Sequence, residues 1–373
     1  MPSTSRREPA SPPSQTFTRG DAVPAPSEIR VAPSAPSGRT LYVDSEEAAL
    51  CNKQKRLAVR HPADGEMLRA HPPRDLDAAL LVGQSTSCTT PALRLCTRRG
   101  VTVARLSVQG TLLGYLTSPR PGRVDVRRAQ FFASTTAAEA RPVAQSLVEA
   151  ALQNRHRRLR RRVCPSSPPP LQSAVRRLEA LQQKRSQVRT RAALRRLNEA
   201  AAQAYFTAWP ALLRRNEPAF QIEGQSWRHT GGPVSALLDF TGALLRKDVR
   251  AACRAAGLDP DRGLLHEPGG EVPALVRDLM GPFRPALVHE VALALLNRGA
   301  LDPAHFETSG DEPCLTRAGR AAVYEVYGRR REQPVTPPGR EATVPCGRAV
   351  ELQARRLARA LTRREIDFTA SRL

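Results

Sequence analysis

Only 4% of the 373 residues are aromatic, and the seven cysteines (Cys51, Cys88, Cys96, Cys164, Cys253, Cys314, Cys346) are odd in number, far apart and without any Cys-x-x-Cys spacing. Neither a disulfide framework nor a zinc ribbon follows from such spacing. The scarcity of rings also argues against a platform for stacking unpaired bases. No apolar run approaches the roughly 20 residues of a membrane span, and the N-terminus lacks the apolar core of a signal peptide. The expectation is a cytoplasmic protein with reduced thiols and no membrane partner. Also absent are G-x-x-x-x-G-K-[ST], G-x-G-x-x-G before a helix, G-x-S-x-G and H-E-x-x-H. Nucleotide hydrolysis, dinucleotide binding and serine or zinc hydrolysis therefore lose their usual support.

Positive charge is what the chain has in excess: 58 Lys and Arg stand against 35 Asp and Glu, a formal net charge of +23. That surplus favours an extended polyanion as partner, nucleic acid before an anionic membrane surface. A GC-rich genome, which inflates Ala, Arg and Pro together, is the competing explanation. An apolar content of 40% is enough for a core, and the length suits two or three domains.

Residues 1–38, rich in Pro, Ser, Ala and Arg, read as a disordered arm. From Thr40 the chain alternates in short runs (TLYV, RLAVR, AALLVG, VTVARLSV, GTLLGYL) bounded by turn residues, the mark of strands. A helix is predicted from Pro91 to Arg99, with Thr90 as its N-cap and Gly100 as its stop. Beyond Arg123 the apolar spacing becomes three and four residues, interrupted by a loop from Cys164 to Pro170. The predicted fold class is α+β. A small antiparallel β-sandwich over residues 39–125 precedes a larger all-α domain over 126–330, and a basic tail with a short helix occupies 331–373.

One segment carries the most chemistry. Between Gly257 and Arg298 it holds His266, Asp278, His289 and Glu290 on what reads as a long amphipathic helix. A histidine among acids suggests a metal site, yet a hard divalent cation prefers two or more carboxylate oxygens, and these are sparse around His266. A second segment, Arg155 to Arg162, places seven basic or histidine side chains in eight residues. It suits either tracking of DNA phosphates or a solvated helix face.

Specific blocks then add a resemblance. LYV (Leu41–Val43), TTPALR (Thr89–Arg94), GVTVARLSVQG, VRRAQ (Val126–Gln130), NEAAAQAYF, PVSALLDF, AAGLDPDRGLLH and DLMGPFRPALVHEVALALLNRG are similar to the signatures of the CRISPR-associated endonuclease family that integrates new spacers. The resemblance spans most of residues 40–330. It implies a β domain that forms a homodimer, a small CRISPR-associated partner protein of the same operon, and action on double-stranded and branched DNA. It also implies one Mg²⁺ or Mn²⁺ held by a glutamate, a histidine and a further acid, acting as a Lewis acid on the scissile phosphate.

Matched residue by residue, the family's ligand positions fall on Asn198, His266 and Gly281, so only His266 keeps a ligand side chain. Nearby acids are Glu199, turned about 100° around its helix from Asn198, and Asp278, one turn before Gly281. The expected metal set is therefore His266 with Glu199 and Asp278, and His289 stands where the family has an aspartate. The DNA-binding expectation falls on Arg155, Arg157, Arg158, Arg160, Arg161 and Arg162, together with Gln225, where the family has an arginine. His229-Thr230, Ser235 and Gly242 are further departures, whereas Val234, Leu237, Leu238, Phe240, Leu244, Leu245 and Val249 keep helical spacing. Three readings follow: an integrase with unusual ligands, a catalytically silent relative that still binds DNA or a partner, and a basic helical scaffold for RNA or chromosomal DNA.

Overall fold

The computed structural model describes residues 39–45, 48–60, 70–118, 123–215, 217–221, 231–309, 312–363 and 368–373. The arm at 1–38, Gln225 and His229-Thr230 lie outside the described residues. In the N-terminal region, strands β1 (Arg39–Val43), β4 (Leu76–Val82), β6 (Thr102–Leu106) and β7 (Leu112–Leu116) form one sheet in the order β1-β4-β6-β7. Strands β2 (Ala49–Lys53), β3 (Arg56–Arg60) and β5 (Ser87–Cys88) form a second sheet in the order β3-β2-β5.

The sandwich is mixed, which corrects the antiparallel expectation. β1 pairs with β4 and β4 with β6 in parallel, and only β6–β7 closes as an antiparallel hairpin in this sheet. The reason lies in the connections. β2 and β3 leave for the second sheet before the chain returns as β4, and β5 with helix α1 (Thr90–Arg99) intervenes before β6, so each return strand runs parallel to the last. The three parallel strands of the first sheet, β1, β4 and β6, are also buried on both faces. Leu41, Val43, Ala79, Leu81 and Val103 face the second sheet and α1, while Tyr42, Leu80, Val82, Ala104 and Leu106 face the helices. Period-two alternation thus sorts apolar residues between two cores rather than between core and water.

Helix α1 is capped by Thr89, whose side chain accepts from the Ala92 amide, one residue before the cap expected at Thr90. Gly100 ends it in the left-handed region at φ 74°, as its position in the sequence suggests.

The helical region contains α2 (Val124–Thr135), α3 (Ala137–Arg160), α4 (Pro169–Lys184), α5 (Arg191–Thr207), α6 (Trp209–Leu212), α7 (Pro233–Ala255), α8 (Ala274–Met280) and α9 (Glu290–Asn297). A short β8–β9 hairpin (Phe306–Ser309, Glu312–Leu315), α10 (Arg317–Glu332), the paired β10 (Pro334–Val335) and β11 (Val344–Pro345), and α11 (Cys346–Arg363) complete it. The seven apolar positions of α7 are all buried in the main core. The segment expected as a tail contributes the 18-residue α11, which buries Val350, Ala354, Leu357 and Leu361 in that core and packs on α7 and α2. Among the described residues no single helix is long and apolar enough to cross a membrane.

Two buried contacts fasten the sheet to the helices. Asp44, at the end of β1, accepts from Arg320 Nε at 2.8 Å and Nη2 at 2.7 Å and from the Tyr324 hydroxyl at 2.6 Å, both partners lying on α10. Next to them the rings of Tyr42 and Tyr324 stack at 4.0 Å.

Candidate functional site

The segment holding His266 is not one long helix. α7 ends at Gly257, whose φ of +82° lets the Gly257 amide bond to the Arg254 carbonyl and the Leu258 amide to the Cys253 carbonyl. This Schellman closure turns the chain into an irregular loop. Helix α8 follows, then a tight turn, a π-helical stretch at Pro285–His289 and α9, the two halves bent by 69°. Two prolines, Pro282 and Pro285, remove backbone donors at the bend, which is why the apolar periodicity does not yield a continuous helix.

Two buried polar side chains shape the loop. Gln130 of α2 donates from Nε2 to the carbonyls of Asp259 (2.8 Å) and Arg262 (2.6 Å) and accepts from the Asp259 amide at 2.8 Å. The VRRAQ and GLDP blocks, far apart in sequence, are therefore a single structural device. Asp278 of α8, 2% exposed, does the rest. Its Oδ2 accepts from the amides of Leu264 (2.7 Å) and Leu265 (2.9 Å), and its Oδ1 from the His266 amide (3.0 Å) and His266 Nδ1 (2.6 Å). Gly263 is required by this close approach, since a Cβ there would collide with the His266 carbonyl oxygen and lie 2.8 Å from Ala274 Cβ. Because the carboxylate only accepts, Nδ1 of His266 carries the proton and Nε2 is the ring's remaining polar atom.

Asn198 and Gly281 each meet α3, and Leu265, the residue before His266, packs on Ala144 and Val148 of the same helix. Arg195, one turn before Asn198 on α5, donates to the Leu265 carbonyl at 2.9 Å, which seats α5 against the histidine loop. Asn198 Oδ1 accepts from Arg155 Nη1 of α3 at 2.8 Å. Gly281 keeps helical backbone, and a Cβ built on it would lie 3.8 Å from Ala151 Cβ, one turn before Arg155. Glu199 points to solvent, as the rotation from Asn198 requires.

His289 is 4% exposed and lies among the rings of Tyr205, Phe206 and Trp209, with centroids 5.0, 5.2 and 5.8 Å away. Burial, then the charges of Arg155, Arg284 and Arg158, hold its pKa well below the ordinary 6.5. An unfolded chain binds a proton here below about pH 6.5 while the folded one does not. The stabilisation is thus complete above that pH and declines as pH falls, by at most about 1.4 kcal/mol per unit. Denaturant titrations at pH 7.5 and 5.0 are expected to show this loss, and His289→Phe is expected to flatten it; an unchanged pH slope in the variant would contradict a neutral buried ring.

The basic run Arg155–Arg162 divides. Arg155 and Arg158 are buried, so they leave the DNA-facing set. Their positions continue the inward stripe Ala144, Val148, Ala151 at spacings of three and four, a signal present in the sequence. Arg158 and Arg162 approach Glu290 Oε2 at 3.5 and 2.9 Å. Arg157, Arg160 and Arg161 face solvent. Away from these groups, a cavity of about 430 Å³ lies between the first sheet and α7, α10 and α11, floored by the Lys247–Asp248 ion pair at 2.8 Å.

Residues 41–329 match the sequence model of the family described as CRISPR associated protein Cas1. The chain belongs to the Cas1 family. It is 30% identical over 331 residues to CRISPR-associated endonuclease Cas1 2 of Rhodospirillum rubrum, covering 86% of this chain and 94% of that one. It is 31% identical over 325 residues to CRISPR-associated endonuclease Cas1 1 of Thermus thermophilus, covering 86% and 96%. A Cas4/Cas1 exonuclease–endonuclease fusion of R. rubrum is 31% identical over 330 residues, and there the chain spans only 56% of the relative's length. The solved Cas1 protein of Thermotoga maritima shares the fold, with a TM-score of 0.71 at 18% identity over 86% of this chain and 96% of that one. A casposase bound to integration product does so with a TM-score of 0.74 at 21% identity over 90% and 94%.

The divalent ion implied by the Cas1 resemblance does not fit the residues present. Both oxygens of Asp278 are committed to four hydrogen bonds, Asn198 offers an amide oxygen already taken by Arg155, and Gly281 offers nothing. Among the described residues no three His, Cys, Asp or Glu side chains are grouped to hold a metal. What remains is an imidazole oriented by a carboxylate, the supporting half of a metal-histidine arrangement.

Proposed function

We propose that this Cas1-family chain serves CRISPR spacer acquisition as an integrase-like DNA-binding subunit that holds DNA and its protein partners while its own metal chemistry is closed. The single observation that carries this reading is that Asn198, at a ligand position of the family, and Asp278, the acid one turn before Gly281, are both committed to internal hydrogen bonds. The net charge of +23 supports DNA as the ligand, with Arg157, Arg160 and Arg161 as solvent-facing phosphate contacts. Relatives are named endonucleases, and structural neighbours include a Cas6-RT-Cas1–Cas2 complex and a casposase on its integration product, which supports duplex and branched DNA and a small partner protein. A homodimer through the strand-rich region is in keeping with β7, an edge strand that exposes Leu113 and Leu116.

The test is a branched DNA duplex titrated with the protein at several salt concentrations, with and without Mn²⁺. Binding is expected with a steep salt dependence, and the triple change Arg157→Ala, Arg160→Ala, Arg161→Ala is expected to reduce the log–log salt slope by about 3. No Mn²⁺-dependent strand cleavage or transfer is expected. Robust cleavage that disappears in His266→Ala would overturn the reading in favour of an integrase with unusual ligands.

A further inference from the structure

Arg155 differs from the other buried cations among the described residues because no acid meets it. Arg158 approaches Glu290, Lys247 pairs with Asp248, and Arg320 is bound by two oxygens of Asp44. Arg155 is 4% exposed, donates one bond to the neutral Asn198 amide, and leaves its Nε without a partner. A buried charge in this state is costly and would be removed by any polar substitution. Its surroundings are those of the substituted site. It is bonded to Asn198, lies one turn beyond the Ala151 that faces Gly281, and contributes to keeping the His289 ring neutral.

We propose that the Arg155 guanidinium is a tethered substitute for the divalent ion, occupying with its charge the position between Asn198 and the Gly281 end of α8 and barring a free cation from it. This rests on the reading that the chain does not use metal chemistry, and it adds the agent. The site is closed twice, by the absence of two carboxylates and by the presence of a fixed cation. A carboxylate restored at position 198 meets the guanidinium first and forms an internal ion pair. Restoring ligands without removing Arg155 therefore does not restore a metal site.

The experiment uses the full chain without DNA, so a failure of the DNA-binding reading leaves its outcome untouched. Mn²⁺ binding is measured by calorimetry and by loss of the free-ion paramagnetic resonance signal in three proteins: wild type, Asn198→Glu/Gly281→Glu, and the same pair with Arg155→Gln. Gly281 has room for the change, since a Cβ there would lie 3.4 Å from the Asp278 carbonyl oxygen and 3.8 Å from Ala151 Cβ. The triple variant is expected to bind one Mn²⁺ at least about 10–100-fold more tightly than the double variant. Equal affinities in the double and triple variants, or a folded triple variant that binds no Mn²⁺, overturn the proposal. A second measurement needs neither metal nor a change at Arg155: Asn198→Glu alone is expected to raise the melting temperature by giving the buried guanidinium a counter-charge, and a lower melting temperature overturns it.

Discussion

Replacing Asp278 with alanine is expected to reduce the unfolding free energy by about 3–5 kcal/mol, the upper range for a single substitution. The carboxylate satisfies three consecutive backbone amides, Leu264, Leu265 and His266, besides the His266 ring. Leu264 and Leu265 are buried, so water cannot reach their amides without opening the loop. Asp278→Asn keeps one acceptor oxygen but turns an NH₂ group toward other donors, and is expected to cost about half as much. Chemical denaturation reads the global loss. Hydrogen exchange at the three amides reads the local one, and unchanged protection there would show that some other group holds the loop. Because Asp278 fixes the His266 ring, its loss is expected to free the imidazole to rotate, which a broadened His266 ring signal in nuclear magnetic resonance would report.

Asp44→Ala is expected to cost a similar amount, about 3–5 kcal/mol, because it leaves the Arg320 guanidinium buried without its counter-charge and the Tyr324 hydroxyl without an acceptor. Arg320 retains only its bond to the Leu315 carbonyl, at 2.6 Å. The contact joins β1 to α10, so its loss is expected to loosen the sheet from the helices before either unfolds. Limited proteolysis in the stretch between β7 and α2 reports that separation. The paired change Asp44→Leu with Arg320→Met is expected to recover most of the loss, since a buried ion pair replaced by apolar groups of similar size is often close to neutral. If Asp44→Ala costs less than about 1 kcal/mol, the pair is solvated in solution and the two regions are held by Tyr42, Tyr324 and the shared core instead.

Much of the fold was legible because burial repeats along the chain at fixed intervals. RLAVR is β3 residue for residue, and the runs TLYV, AALLVG, VTVARLSV and GTLLGYL fall within a few residues of β1, β4, β6 and β7. The strand ALCNK and the two-residue β5 carry too little alternation to be seen. Strand direction is not legible in this way, because alternation shows which residues share a face and says nothing of which strand lies alongside. The fold buries both faces, so two parallel returns were possible where a one-faced sheet would have favoured hairpins.

The candidate site shows the same division. Local pattern and motif were sufficient for the family and for Gly100 as a helix terminator, because these depend on residue identity and short-range geometry. Three-dimensional packing alone decided that Asp278 is consumed by the loop it braces, that Gln130 ties the VRRAQ and GLDP blocks together, and that Arg155, whose inward position continues a helical stripe, meets Asn198. Each of these rests on partners between 12 and 132 residues apart. A hydrogen bond over such a separation leaves no periodic trace in the sequence. A carboxylate spent on backbone amides and one free to bind an ion are the same letter until the chain is folded around it.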